Sequence, residues 1–68
     1  MAKATQKLRV IVDRVSFYTT VRQARDGVGD SMSVNDGVRT VLAALEADKR
    51  AIGMVSTVNG HNIQVDFL

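Results

Sequence analysis

Residues 13–26, DRVSFYTTVRQARD, decide the fold, because their apolar positions fit two different periods. Read as a strand, Val15, Phe17, Thr19 and Val21 share one face, and Ser16, Tyr18, Thr20 and Arg22 share the other. Read as a helix, Phe17, Val21, Ala24 and Val28 fall at i, i+4, i+7 and i+11, with Asp13 available as a cap. The β-branched and aromatic run SFYTTV favours the strand, through about Arg22.

Upstream, Lys7 to Val12 alternates, with Leu8, Val10 and Val12 on one side and Lys7, Arg9 and Ile11 on the other. That is the pattern of a half-buried strand. The inward set passes from even positions here to odd ones after Asp13, so a turn or bulge falls at Asp13 and Arg14. Met1 to Gln6 is small and polar and reads as a flexible arm.

Downstream, Asp26 to Met32 holds two glycines and short polar side chains, the composition of a loop. Ser33 to Arg50 then carries Val34, Val38, Val41, Leu42 and Leu45 at helical spacing. Ser33 is read as the N-cap, and Asp36 three residues on gives a weak capping box. Lys49 and Arg50 suit the far end of the helix dipole. Asn35, Arg39, Glu46 and Arg50 occupy the opposite face, with Glu46 and Arg50 spaced for an i,i+4 pair. Ala51 to Val58 and His61 to Leu68 flank Asn59-Gly60, the pair best suited to a type I′ turn, because both of its central positions need positive φ. Ile52, Met54 and Val58 line one face of the first arm of this hairpin, and Ile63, Val65 and Phe67 one face of the second. The chain therefore reads as a single α+β domain over residues 1–68, ββαββ, a small antiparallel sheet with one amphipathic helix on one side.

Sixty-eight residues stand near the lower limit for a single core, and the chain has no cysteine to staple it. Self-association is the usual way to gain the missing burial, so a homodimer is the expectation. No apolar run reaches the ~20 residues a membrane span needs, which suits a cytoplasmic protein without a membrane partner. Net charge is +2, but residues 1–30 hold six Lys/Arg against three Asp, while residues 31–68 hold three against four acids. The basic first half points to an anionic partner.

Catalysis has few candidates. With one histidine, His61, and scattered acids, no catalytic set, metal site or cofactor site is expected. His61 follows the Asn59-Gly60 turn and reads as a solvated turn residue. Asp26, Asp30 and Asp36 lack the alternation and closing Glu of a calcium loop. Gly27-Val28-Gly29 lacks the Lys-Ser/Thr of a phosphate loop. The basic strand face is the better lead. Lys7, Arg9, Arg14, Tyr18 and Arg22 are the candidate nucleic-acid contacts, cations for phosphates and a ring for a base, on DNA or RNA. A small regulator of transcription would use such a face. The reading from a different class is a non-enzymatic protein-interaction or assembly module, such as a phage-type inhibitor or structural subunit.

Met32-Ser-Val-Asn-Asp-Gly-Val-Arg-Thr-Val-Leu42 resembles the second helix of ribbon-helix-helix DNA-binding proteins, with Lys7 to Val12 in the place of the ribbon and Asp13 to Asp26 in that of the first helix. Over residues 7–50 the resemblance implies a dimer whose paired strands enter the major groove. Lys7, Arg9 and Ile11 would then face bases, and Ser33 and Asn35 at the helix start would contact phosphate.

Overall fold

The computed structural model describes residues 3–48 and 54–68. Its order is β1 (Lys7–Val12), β2 (Val15–Thr20), α1 (Val21–Asp26), α2 (Met32–Ala47), β3 (Ser56–Val58) and β4 (His61–Phe67). The strands form one antiparallel sheet in the order β2-β1-β4-β3, so the fold is α+β with one main helix and a short second one.

The ambiguous stretch resolves into both structures in succession. Its first half pairs with β1, Val10 opposite Phe17 and Leu8 opposite Thr19, which explains the parity change along the sequence. Asp13 and Arg14 have φ of 49° and 74°, so the joint is a two-residue turn of the I′ kind rather than a bulge. The strand stops at Thr20, two residues short of Arg22, because Thr20 becomes a helix cap whose hydroxyl accepts from the Gln23 N–H. The Val21 and Arg22 N–H groups donate to the Gln6 and Ala4 carbonyls, at 3.0 Å each. Six residues cannot hold a helix alone. These amide partners, with Val21 and Ala24 wholly buried, hold α1 in place. Residues 3–6 thus form the turn that caps α1.

The main helix begins earlier than its spacing implies. Ser31, not Ser33, is the N-cap, and its Oγ accepts from the Val34 N–H. Val38, Val41, Leu42 and Leu45 are buried against Leu8, Val10, Ile63 and Val65 of the sheet, while Val34 is half-buried at the margin. Burying each such aliphatic contributes roughly 1.5–3 kcal/mol. The contacts of α2 fall mainly on β4. Gly37 allows that approach, since a Cβ built there would lie 2.5 Å from Ile63 Cδ1. Lys49 and Arg50 lie outside the described residues. Glu46 pairs with Arg25 of α1 at 3.1 Å.

Asn59 and Gly60 take φ of 54° and 82°, the turn expected of them. The strand before that turn is shorter than expected: β3 begins at Ser56, and Met54 is 60% exposed rather than inward. Ile52 lies outside the described residues. β1 has both edges taken, by β2 and β4 of its own chain. A ribbon shared with a second copy has no edge of β1 to use, and the helix that the ribbon-helix-helix likeness places over Asp13 to Asp26 occupies only Val21–Asp26.

Candidate nucleic-acid interface

Side chains of cross-paired residues share a face. The register therefore puts Lys7, Arg9, Tyr18 and Thr20 on the face opposite the buried Leu8 and Val10, and among the described residues both helices pack on the buried side. Tyr18 is 71% exposed there. Arg22 is not on this face, because it belongs to α1, and Arg14 sits on the turn at the far end of β1.

Ion pairing separates the cations further. Arg9 donates to Asp66 at 3.0 Å, and the same carboxylate oxygen accepts from Gln64 Nε2 at 2.9 Å. Arg25 is engaged with Glu46, and Arg39 with Asp36 and the Arg25 and Asp26 carbonyls at the end of α1. Lys3, Lys7, Arg14 and Arg22 are exposed and have no ion-pair partner among the described residues. Three of these four gather at one end of the sheet. Lys7 opens β1 opposite Thr20, Arg22 lies in the first turn of α1, and Lys3 adjoins Ala4, whose carbonyl accepts from the Arg22 N–H. A groove of about 520 Å³ opens there, lined by Lys7, Tyr18, Thr19, Thr20, Gln23 and Leu68, and a smaller one beside it includes Lys3 and Gln6. Lys3 was hidden in the sequence because a short polar N-terminal stretch gives no sign that backbone hydrogen bonds will hold it against a helix.

Ser33 and Asn35, the candidate phosphate contacts at the helix start, already have protein partners. Asn35 Oδ1 accepts from the Val28 and Gly29 N–H groups at 3.0 Å each, and its Nδ2 donates to the Gly29 carbonyl at 2.9 Å. This side chain fixes the loop between the helices. Ser33 Oγ lies 3.3 Å from His61 Nε2, and His61 Nδ1 lies 2.7 Å from Asp13 Oδ2.

The His61 cluster has no counterpart in the sequence reading, which gave His61 a solvated turn. It joins three elements: the β1–β2 turn through Asp13, the β3–β4 turn through His61, and the first turn of α2 through Ser33. Asp13 Oδ1 also accepts from the Asn62 N–H at 2.9 Å, and Asn59 Nδ2 donates to the Ser33 carbonyl at 3.1 Å. The hydrogen bond from His61, followed by that from Asn62, holds the Asp13 carboxyl below its usual value of 3.8. These bonds fasten two turns to the helix at the end of the sheet away from Lys7.

Among the described residues no group of three or more His, Cys, Asp or Glu side chains is placed to hold a metal ion, and no helix is long and apolar enough to cross a membrane. No protein-family model, curated protein or solved structure matches the chain.

Proposed function

We propose that the chain is a small nucleic-acid-binding protein that holds a single strand along the groove at the Lys7 end of its sheet. Supporting this reading is one observation: the unpaired cation Lys7 and the exposed aromatic Tyr18 line one groove, with Lys3 in the groove beside it and Arg22 in the first turn of the adjoining helix. Lys and Arg neutralise phosphates and release counterions, while a tyrosine ring stacks on any base. Thr20 and Gln23 add hydrogen-bonding groups to the lining. Arg9 contributes less than its position on the face implies, because Asp66 already meets its charge. A regulatory role would follow from occupying or protecting the bound strand.

With three phosphate contacts, log K should fall against log salt with a slope of about −2 on single strands. Fluorescence anisotropy with a labelled oligonucleotide tests this, comparing the native chain with Lys7→Ala/Arg22→Ala. Loss of binding in the double variant is the expected result. Absence of binding to any single strand or duplex at low salt would end the reading.

A protein-interaction module is the second reading, favoured by the edge strand β2, which carries no charged residue.

A further inference from the structure

We infer that β2 is the seam of a two-fold dimer, in which the β2 edges of two copies pair antiparallel and join two four-stranded sheets into one. This rests on the edge itself and holds whether or not the protein binds nucleic acid.

The hydrogen-bonding parity of the sheet shows which groups the edge offers. The Asp13 N–H donates to the Asn62 carbonyl and the Leu68 N–H to the Lys7 carbonyl, so odd-numbered positions of the β1 row face β4. Even-numbered β1 residues therefore face β2, and their partners are Val15, Phe17 and Thr19. The N–H and C=O groups of Ser16 and Tyr18, and the N–H of Thr20, point the other way, along the outer edge of the sheet. Edge strands are ordinarily protected by charge, proline, a bulge or short length. β2 is six residues long, VSFYTT, without charge or proline, and its pairing with β1 runs unbroken from Val15 to Thr20.

Of the registers a two-fold axis allows, two pair both Ser16 and Tyr18 with strand residues of the second copy. One places Tyr18 opposite Tyr18 of the second copy, which brings the Arg14 turn of each chain against the Arg22 helix start of the other. Like charges oppose that arrangement. The other places Ser16 opposite Tyr18 and sets Phe17 beside Phe17 of the second copy, with Arg14 moved to Thr20. This register makes about four inter-chain backbone hydrogen bonds. It also covers apolar surface on the helix side of the sheet, where Val15 is 67% exposed and Phe17 only partly buried. The seam is therefore self-complementary in backbone and apolar contact and sets no like charges opposite one another, and its occupant is a second copy of the chain. The rings of both Tyr18 residues stay on the open face.

Sedimentation equilibrium over a range of concentrations tests the pairing. The native chain should approach about twice its 7.4 kDa mass, and Val15→Lys, at an exposed position, should weaken the dimer by at least about tenfold. Circular dichroism and the unfolding midpoint of V15K verify that its monomer is folded. The register is tested by F17C, since the chain has no cysteine of its own: mild oxidation should give a disulfide-linked dimer, whereas Y18C should not cross-link. A native chain that stays monomeric at the highest soluble concentration overturns the inference. So does a dimer equally tight in V15K, or one that cross-links through Y18C and not F17C.

Discussion

Gly37 gives the packing of α2 on the sheet its sharpest test. Helix propensity alone predicts that Gly37→Ala stabilises the protein by about 1 kcal/mol. The structure predicts that this gain is cancelled or reversed. The new Cβ would lie 2.5 Å from Ile63 Cδ1, and Ile63 is 0% exposed, so its terminal methyl has little room to withdraw. Overpacking of this kind costs about 1–3 kcal/mol, which leaves G37A destabilised by about 0–2 kcal/mol net. The Val58 atoms, at 3.6 and 3.7 Å, are in ordinary contact and add nothing. Ile63→Val removes the offending Cδ1 at a cost of about 0.5–1.5 kcal/mol by itself. In that background G37A should recover its helical gain. The two substitutions should therefore couple by about 1–3 kcal/mol in a double-mutant cycle measured by urea denaturation. A Tm shift of about 4–8 °C per kcal/mol makes the difference easy to resolve in a domain of this size. If G37A stabilises the native and I63V backgrounds equally, to within about 0.5 kcal/mol, the close approach of α2 to β4 is wrong.

Three other perturbations address separate joints of the fold. Asn35→Ala removes three hydrogen bonds from the α1–α2 loop and should cost about 1–3 kcal/mol, with faster hydrogen exchange at the Val28 and Gly29 amides; unchanged exchange there would contradict the loop-fixing role. Because the Asp13 carboxyl is held below 3.8, it binds its proton more weakly folded than unfolded, so its stabilisation is present above that value and is lost as pH falls through the lower folded value. Asp13→Asn should be less stable than the native chain at neutral pH and should lose less stability on acidification, a difference read from denaturation midpoints across the acid range. Gly60→Ala places a Cβ at φ 82° and should cost about 1–2 kcal/mol while the sheet is retained by circular dichroism.

What the sequence shows clearly is local. The stripe Val38, Val41, Leu42 and Leu45, the strand Lys7 to Val12 and the Asn59-Gly60 turn each follow from spacing or from a backbone requirement of the residues themselves. The stretch 13–26 is ambiguous because both of its periods are used: Phe17 packs from β2, and Val21 and Ala24 pack from α1. Composition does change after Thr20, from VSFYTT to VRQARD, but so short a helix also depends on carbonyls at Ala4 and Gln6 that only the folded chain supplies. Ser31 and Ser33 are equivalent caps by residue type, and the loop geometry selects between them. Pairings such as Arg9 with Asp66 and Asp13 with His61 join residues far apart in the chain, beyond the reach of any periodicity. They change the candidate interface most, since one removes Arg9 from the unpaired cations while Lys3 enters.

The most direct measurement is backbone NMR titration with a short single-stranded oligonucleotide at low salt. The proposed interface predicts that amide shifts concentrate at Lys3, Lys7, Tyr18, Thr20, Arg22 and Gln23, and that they vanish as salt is raised. Shifts centred instead on Ser33, Asn35 and His61, or no shifts at all, would contradict it.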